Sequence, residues 1–118
     1  MYSRNGGPEV LEIVEVDLPE PGPGQVRVRV QAAGLNPVDW KIFKGIATAY
    51  ANELPSGNGN DFAGTVDALG EGVTHLAVGQ RVASGGTFGA WAEYFVADAA
   101  ALIPVMDAIP DEAAAQLV

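Results

Sequence analysis

From Gln25 to Ala33 apolar and polar residues alternate without a break: Val26, Val28, Val30 and Ala32 fall on one face, Arg27, Arg29 and Gln31 on the other. A period of two with that contrast predicts a strand with one buried and one wet face, which Gly34 ends or bends. Val10 to Asp17 is rich in Val, Ile and Leu with a less regular alternation, and also predicts a strand. Between the two, Pro19-Glu20-Pro21-Gly22-Pro23-Gly24 must be a turn or exposed loop, because its prolines cannot donate to a ladder and its glycines permit positive φ. Further on, Asp61 to Leu69 predicts a strand and Gly70-Glu71-Gly72 a tight turn. Gln80 to Ala83 predicts a short strand, and Ala101 to Pro104 a brief edge element. Phe88 to Ala97 carries apolar residues at both parities, so it predicts a longer strand buried on both sides.

Helical signals are few. Asn36 to Lys44 predicts a short helix: Asn36 can cap it, Pro37 suits the first helical position, Asp39 suits the first turn and Gly45 can stop it. Ile46 to Gly59 has weak periodicity and predicts a loop. Asp111 stands before Glu112-Ala113-Ala114-Ala115-Gln116-Leu117-Val118, an acidic cap ahead of strong helix formers. That helix would have about two turns before the sequence ends, which leads us to expect that the natural protein continues. No internal repeat or low-complexity segment interrupts this order.

The 118 residues make one domain of ordinary size, and 15 glycines with 8 prolines fit short strands and frequent turns. The absence of cysteine excludes disulfides, cysteine nucleophiles and thiolate metal sites, and is compatible with the cytoplasm. A formal net charge of −9, from 15 acidic and 6 basic residues, argues against nucleic acid and against an anionic membrane surface. No apolar run approaches the ~20 residues of a membrane span, and no signal peptide is expected.

Candidate chemistry is sparse. One histidine, His75, lies in a turn-rich stretch and reads as a surface or packing residue; with no cysteine it builds no zinc site. Ser3, Ser56 and Ser84 sit in no nucleophile elbow. Gly57-Asn58-Gly59-Asn60-Asp61-Phe62 has Phe62 where a dinucleotide-binding loop needs its third glycine. What remains is Asn36-Pro37-Val38-Asp39-Trp40-Lys41-Ile42-Phe43-Lys44-Gly45, which holds two of the six basic residues. It could place an amide, a carboxylate and an ammonium at the mouth of a pocket, or be a capped surface helix with solvated charges.

These residues also carry a resemblance. Gly6-Gly7-Pro8-Glu9-Val10-Leu11, Pro21-Gly22-Pro23-Gly24-Gln25-Val26-Arg27-Val28, Ala33-Gly34-Leu35-Asn36-Pro37-Val38-Asp39, Asp61-Phe62-Ala63-Gly64-Thr65-Val66, Val78-Gly79-Gln80-Arg81-Val82 and Gly89-Ala90-Trp91-Ala92-Glu93-Tyr94 occur in that order. Each is weak alone; together they span nearly the whole chain. The sequence resembles the medium-chain dehydrogenase/reductase superfamily, and within it the zinc-free quinone-oxidoreductase-like branch. The resemblance implies a mainly β, GroES-like fold, a bent and partly open β-barrel with short helices. Residues 1–110 would form the N-terminal part of this catalytic domain. Residues 111–118 would start the helix leading toward a Rossmann domain that this chain does not contain.

The resemblance also sharpens the branch. In zinc alcohol dehydrogenases a cysteine ligand matches Asn36, a serine or threonine proton relay matches Val38 and a histidine ligand matches Asn60; the structural zinc lobe has no counterpart here. By the same resemblance Asn36 lies near the nicotinamide and orients by hydrogen bonds, while Asp39 serves the catalytic site by setting local structure. Lys41 stands where a cofactor-touching tyrosine is frequent, and could meet a phosphate or ribose oxygen. The implied reaction is hydride transfer from NADPH, favoured over NADH, to a quinone or activated alkene, in a cytoplasmic homodimer without zinc. An enoyl-thioester reductase of the same superfamily and a non-catalytic binding or assembly module remain the alternatives.

Overall fold

The structure, a computed structural model, describes residues 1–45, 57–84 and 89–116. Most of the predicted loop from Ile46 to Gly59 therefore lies outside the described residues, as does Phe88. Five strands form one sheet: β1 (Gln25–Ala33), β2 (Phe62–Leu69), β3 (Arg81–Ser84), β4 (Tyr94–Asp98) and β5 (Ile103–Pro104). The order is β4-β1-β2-β3-β5 and every pairing is antiparallel. Two short helices, α1 (Pro37–Lys44) and α2 (Asp111–Ala114), complete the framework.

The sheet is bent for reasons visible in its register. Between β1 and β2 the pairing slips twice: Arg27 faces Ala68 but Val28 faces Val66, and Val30 faces Gly64 but Ala32 faces Ala63. Asp67 and Gln31 are the extra residues, and such bulges bend a strand and increase its twist. A second constraint acts at the edges. β4 and β5 lie at opposite edges, four strand spacings of about 4.8 Å apart if the sheet were flat. Only residues 99–102 join them, three of these in a 3-10 turn rising about 2 Å per residue. Such a link is too short for a flat sheet, so the sheet curls into a partly open barrel.

The curl encloses Val26, Val28, Phe62, Val66, Leu76, Val82, Ala90, Ala97, Ala99 and Leu102. On the other face Ala63 and Ala83 pack under Ala114 of α2 and its C-cap Ala115, small residues that let the helix lie close. A third cluster joins the N-terminus to α1 through Tyr2, Val10, Ile42 and Phe43. Thus Phe43 is core, whereas Trp40, one position off the buried stripe of α1, is exposed.

Three expectations need correction. Val10 to Asp17 is not a strand: Val10 ends a 3-10 turn (Pro8–Val10) and Leu11 makes a single bridge to Tyr2. Beyond it the chain is irregular and Ile13, Val14, Val16 and Leu18 are exposed. Alternation alone does not make a strand: Glu12 exchanges backbone hydrogen bonds with Met1, and no ladder among the described residues continues past it. The predicted strand at Phe88 to Ala97 begins only at Tyr94 and is not buried on both sides, since β4 is an edge strand with half-buried residues at 94–96. Its upstream residues instead bond the 58–59 loop: the N–H groups of Ala90 and Trp91 donate to the carbonyls of Gly59 and Asn58. Finally, Asp111 does not cap α2. Pro110 holds the cap position, and the Asp111 carboxylate accepts from Arg81 Nη2 at 2.9 Å.

Candidate functional site

α1 begins as its sequence predicts. Asn36 is the N-cap in extended conformation, Pro37 follows, and Asp39 Oδ2 accepts the Asn36 backbone N–H at 2.8 Å, the return half of a capping box. Gly45 ends the helix in the left-handed region, with φ at +83°. The cap costs something, because Asp39 is only 2% exposed and its Oδ1 has no hydrogen-bond partner among the described residues. Burial pushes the Asp39 carboxyl above its ordinary value of 3.8; the Asn36 N–H opposes this, the charge of Asp61 adds to it, and the Asn60 N–H opposes it again.

Asp61, the residue before β2, is the second buried carboxylate, 4% exposed. Asn36 Nδ2 donates to its Oδ2 at 2.5 Å and Asn60 Nδ2 to its Oδ1 at 2.9 Å. Its backbone carbonyl accepts the Gly34 N–H at 2.9 Å. Gly34 in turn accepts Trp91 Nε1 at 3.1 Å on its own carbonyl. Asn58 is buried as well, with its Nδ2 3.5 Å from the Asp39 carbonyl. The end of β1, the start of α1, the start of β2 and the approach to β4 therefore meet in one corner made of amides and two carboxylates. Neither Asp39 nor Asp61 makes an ion pair among the described residues.

The corner tolerates no extra backbone bulk. Gly59 has φ at +108°, and a Cβ there would lie 2.6 Å from both the backbone N and Cδ1 of Trp91. Only glycine gives the chain that conformation and lets the loop touch Trp91.

Of the residues singled out by sequence, the structure brings together Asn36 and Asp39 but not Lys41. The Lys41 side chain is exposed, with Nζ 5.7 Å from the Trp40 ring centroid, and makes no hydrogen bond to Asn36, Asp39 or Asp61. Lys44 Nζ lies 5.5 Å from the same ring. Asp61, Asn60, Asn58 and the Trp91–Gly34 bond were missed as site members. The signal was present in Asn58-Gly59-Asn60-Asp61, whose polar side chains stand directly before an apolar strand. His75 is exposed, its Nε2 3.3 Å from the Ala99 carbonyl, away from this corner. An open cavity of about 870 Å³ shares Trp91 with the corner and is otherwise lined by residues 12–19 and Tyr94, among others, but not by Asn36, Asp39 or Asp61.

A curled, bulged antiparallel sheet with a capped helix and a buried polar corner at its rim is the architecture of one domain class. The alcohol dehydrogenase GroES-like domain matches residues 22–107, and the chain belongs to that family. Within it, the chain is similar to members of the quinone-oxidoreductase branch of the medium-chain dehydrogenase/reductase superfamily. It is 44% identical over 115 residues to the quinone oxidoreductase of Pseudomonas aeruginosa, covering 97% of this chain and 35% of that protein. The structure of Escherichia coli quinone oxidoreductase complexed with NADPH superposes with a TM-score of 0.92 at 34% identity, covering 99% of this chain and 36% of that one. The trans-enoyl reductase fsr4 of Gibberella fujikuroi is 40% identical over 78 residues, 66% of this chain and 22% of that protein. The chain thus spans about a third of the length of the quinone oxidoreductases it matches.

Proposed function

We propose that this chain is the N-terminal catalytic-domain portion of a zinc-independent, NADPH-dependent quinone oxidoreductase. Residues 1–110 would form the substrate-side domain and residues 111–118 would lead toward a Rossmann domain. The observation that carries the reading is the Asn36 amide: half-buried, at the N-cap of α1, with its NH2 held by Asp61. The similarity to quinone oxidoreductases, one of them solved with NADPH, supports the cofactor and substrate class.

The residues present suit such a cofactor at one edge only. With its NH2 engaged by Asp61 and its side chain facing the Asp39 N–H in the capping box, Asn36 would offer the remaining Oδ1 lone pair to a carboxamide N–H. Lys41, exposed on α1, offers a cation to a phosphate or ribose oxygen. Bound NADPH supplies the hydride. This chain's share is orientation and exclusion of water, with Asn36 fixing one edge of the stacked pair. Asp39 acts indirectly, holding the first turn of α1 and so the Asn36 backbone. Zinc independence is supported by the donor set: Asn36 and Asn60, carboxamides and poor zinc ligands, occupy the positions matching the cysteine and histidine ligands of zinc alcohol dehydrogenases. The acceptor would gain a hydride and a solvent proton. The wider reading includes a cytoplasmic homodimer with no nucleic-acid or membrane partner; among the described residues no helix is long and apolar enough to cross a membrane.

A second reading, an enoyl-thioester reductase, is favoured by the similarity to a trans-enoyl reductase. Both are tested on the native protein. Its intact mass under denaturing conditions should exceed 12.2 kDa by about one or two domains. It should oxidise NADPH with a quinone faster than with an enoyl thioester. The reverse preference selects the second reading. A native mass equal to that of this chain, with no NADPH oxidation, sinks both and favours a binding module.

A further inference from the structure

We infer that Asp61 is a positioning residue for hydride transfer, acting through Asn36; the inference rests on the role proposed for Asn36 above. An asparagine amide has a donor end and an acceptor end of nearly equal shape, and packing alone does not tell them apart. A carboxylate does, because it only accepts. Asp61 Oδ2 at 2.5 Å from Nδ2 selects the rotamer whose NH2 faces Asp61, which leaves the carbonyl oxygen toward the first turn of α1 and the edge where a cofactor would lie.

Asp61 is itself immobilised. Its second oxygen is held by Asn60 Nδ2, its backbone carbonyl by the Gly34 N–H, and its side chain is buried. Asn36 is fixed at a second point, since its backbone N–H is bound to Asp39. The Asp61 carboxylate, just before β2, thus sets the direction of the amide, while Asp39 of α1 fixes the backbone that carries it. Asp61 is a costly way to fill this place if packing were all that mattered, for a buried carboxylate with no cation beside it is destabilising relative to an apolar side chain. Among the described residues the other titratable group in this corner is Asp39; Asn58, Asn60, Trp91 and Gly34 are uncharged.

The test is a double-mutant cycle in the full-length, NADPH-oxidising protein, using Asn36→Ala, Asp61→Asn and both together. Asparagine at 61 has the same size but can present either end, so the orientation of Asn36 is no longer dictated. We expect Asp61→Asn to lower kcat about tenfold or more, with the Kd for NADPH changed by less than about threefold. In the Asn36→Ala background the same change should cost less than about twofold, because the group through which Asp61 acts is gone. Equal losses in both backgrounds, or no loss in the first, overturn the inference and leave Asp61 a packing residue. Full activity in Asn36→Ala instead overturns the role of Asn36, which is a separate result. If Asp61→Asn does not fold, Asp61→Glu carries the same cycle, keeping the charge but displacing its oxygens by one methylene. If the protein lacks hydride transfer altogether, the pinning is read from the Asn36 side-chain NH2 resonances of this chain. They should be slow to exchange and become fast in the variant; fast exchange in the parent sinks the inference.

Discussion

Two kinds of carboxylate sit in this small domain, and their surroundings differ. Asp67 and Asp111 are each met by an arginine. Arg27 Nε donates to Asp67 at 2.7 Å across the bulge between β1 and β2, and Arg81 Nη2 donates to Asp111 at 2.9 Å, tying α2 to β3. Both acids keep about a third of their side-chain surface in solvent, 35% and 30%. Asp39 and Asp61 are buried far more deeply and, among the described residues, are met by amides and backbone N–H groups. The arginine-paired acids hold elements together at the surface. The amide-held pair sits where four chain segments converge, and no cation pairs with it among the described residues. A protein that places its deepest acids without cations accepts a stability cost there, which fits a site more than a scaffold.

The sharpest way to break this contrast is through the backbone that builds the amide corner. Gly59→Ala forces a Cβ to within 2.6 Å of Trp91 and strains a residue at φ +108°. We expect a loss of about 3 kcal/mol from strain and overpacking together, measured by urea denaturation. Gly24→Ala is the control. It also has positive φ, but a Cβ there meets nothing within 4 Å, so it should lose clearly less. Equal losses would mean that the Trp91 contact contributes nothing and that φ alone decides.

The next largest effect belongs to the arginine side. Arg81 donates to Asp111 and also to the carbonyls of Ile109 at 2.5 Å and Met106 at 3.2 Å. Arg81→Met keeps the stem and removes every one of these bonds. A loss of about 2 kcal/mol is expected, less than for a fully buried network because both partners are partly wet. Hydrogen exchange should show α2 opening before the sheet. Unchanged protection of α2 would show that Ala114 and Ala115 packing, not Arg81, holds the helix.

The same contrast explains what was legible in the sequence. β1 could be read to the residue because each of its contacts follows from local alternation, and both neighbours it needs are present. The cap of α1 could be read because Asn36, Pro37, Asp39 and Gly45 act within one helix. The pairing of Asn36 with Asp61 spans 25 residues and depends on where the bent sheet brings β2, which no local pattern contains. Asp61 therefore looked like the first residue of a strand, and Asn58-Gly59-Asn60 like a failed phosphate loop. Residues 10–17 mark the opposite error, since their apolar content resembled a strand, yet their pairing with the N-terminus stops after Leu11 and Glu12. The family resemblance reached the fold and named Asn36 without naming what holds it.

A smaller effect separates the two roles of Asp39, cap and buried charge. Asp39→Ala removes the acceptor for the Asn36 N–H and should cost about 1 kcal/mol. Asp39→Asn keeps an acceptor and removes the charge. Because burial raises the folded-state pKa, the native protein binds more protons than the unfolded chain from the ordinary value of 3.8 up to the raised one. Stability from this group is thus fully present below that interval and is lost as pH rises through it. The Asn variant lacks this loss, so its stability relative to the parent should improve as pH rises through the interval and then level off. A difference independent of pH from acid to neutral would show that Asp39 is not strained by burial.

The smallest effect is expected where charge pairing is most solvated. Asp67→Asn keeps a hydrogen-bond acceptor for Arg27 Nε but removes the charge from a pair whose acid is 35% exposed, while Glu20, 83% exposed, lies 3.5 Å from Arg27 Nη1. Pairs of this kind contribute about 0.5 kcal/mol, and salt screens them over about 10 Å at 0.1 M. The difference between parent and variant should therefore shrink as salt is added. At Asp61→Asn, inside the corner, salt should leave the difference nearly unchanged, because no ions reach a residue 4% exposed. If both differences screened alike, the amide corner would be as wet as the surface pair, and the physical distinction between the two kinds of acid would fail.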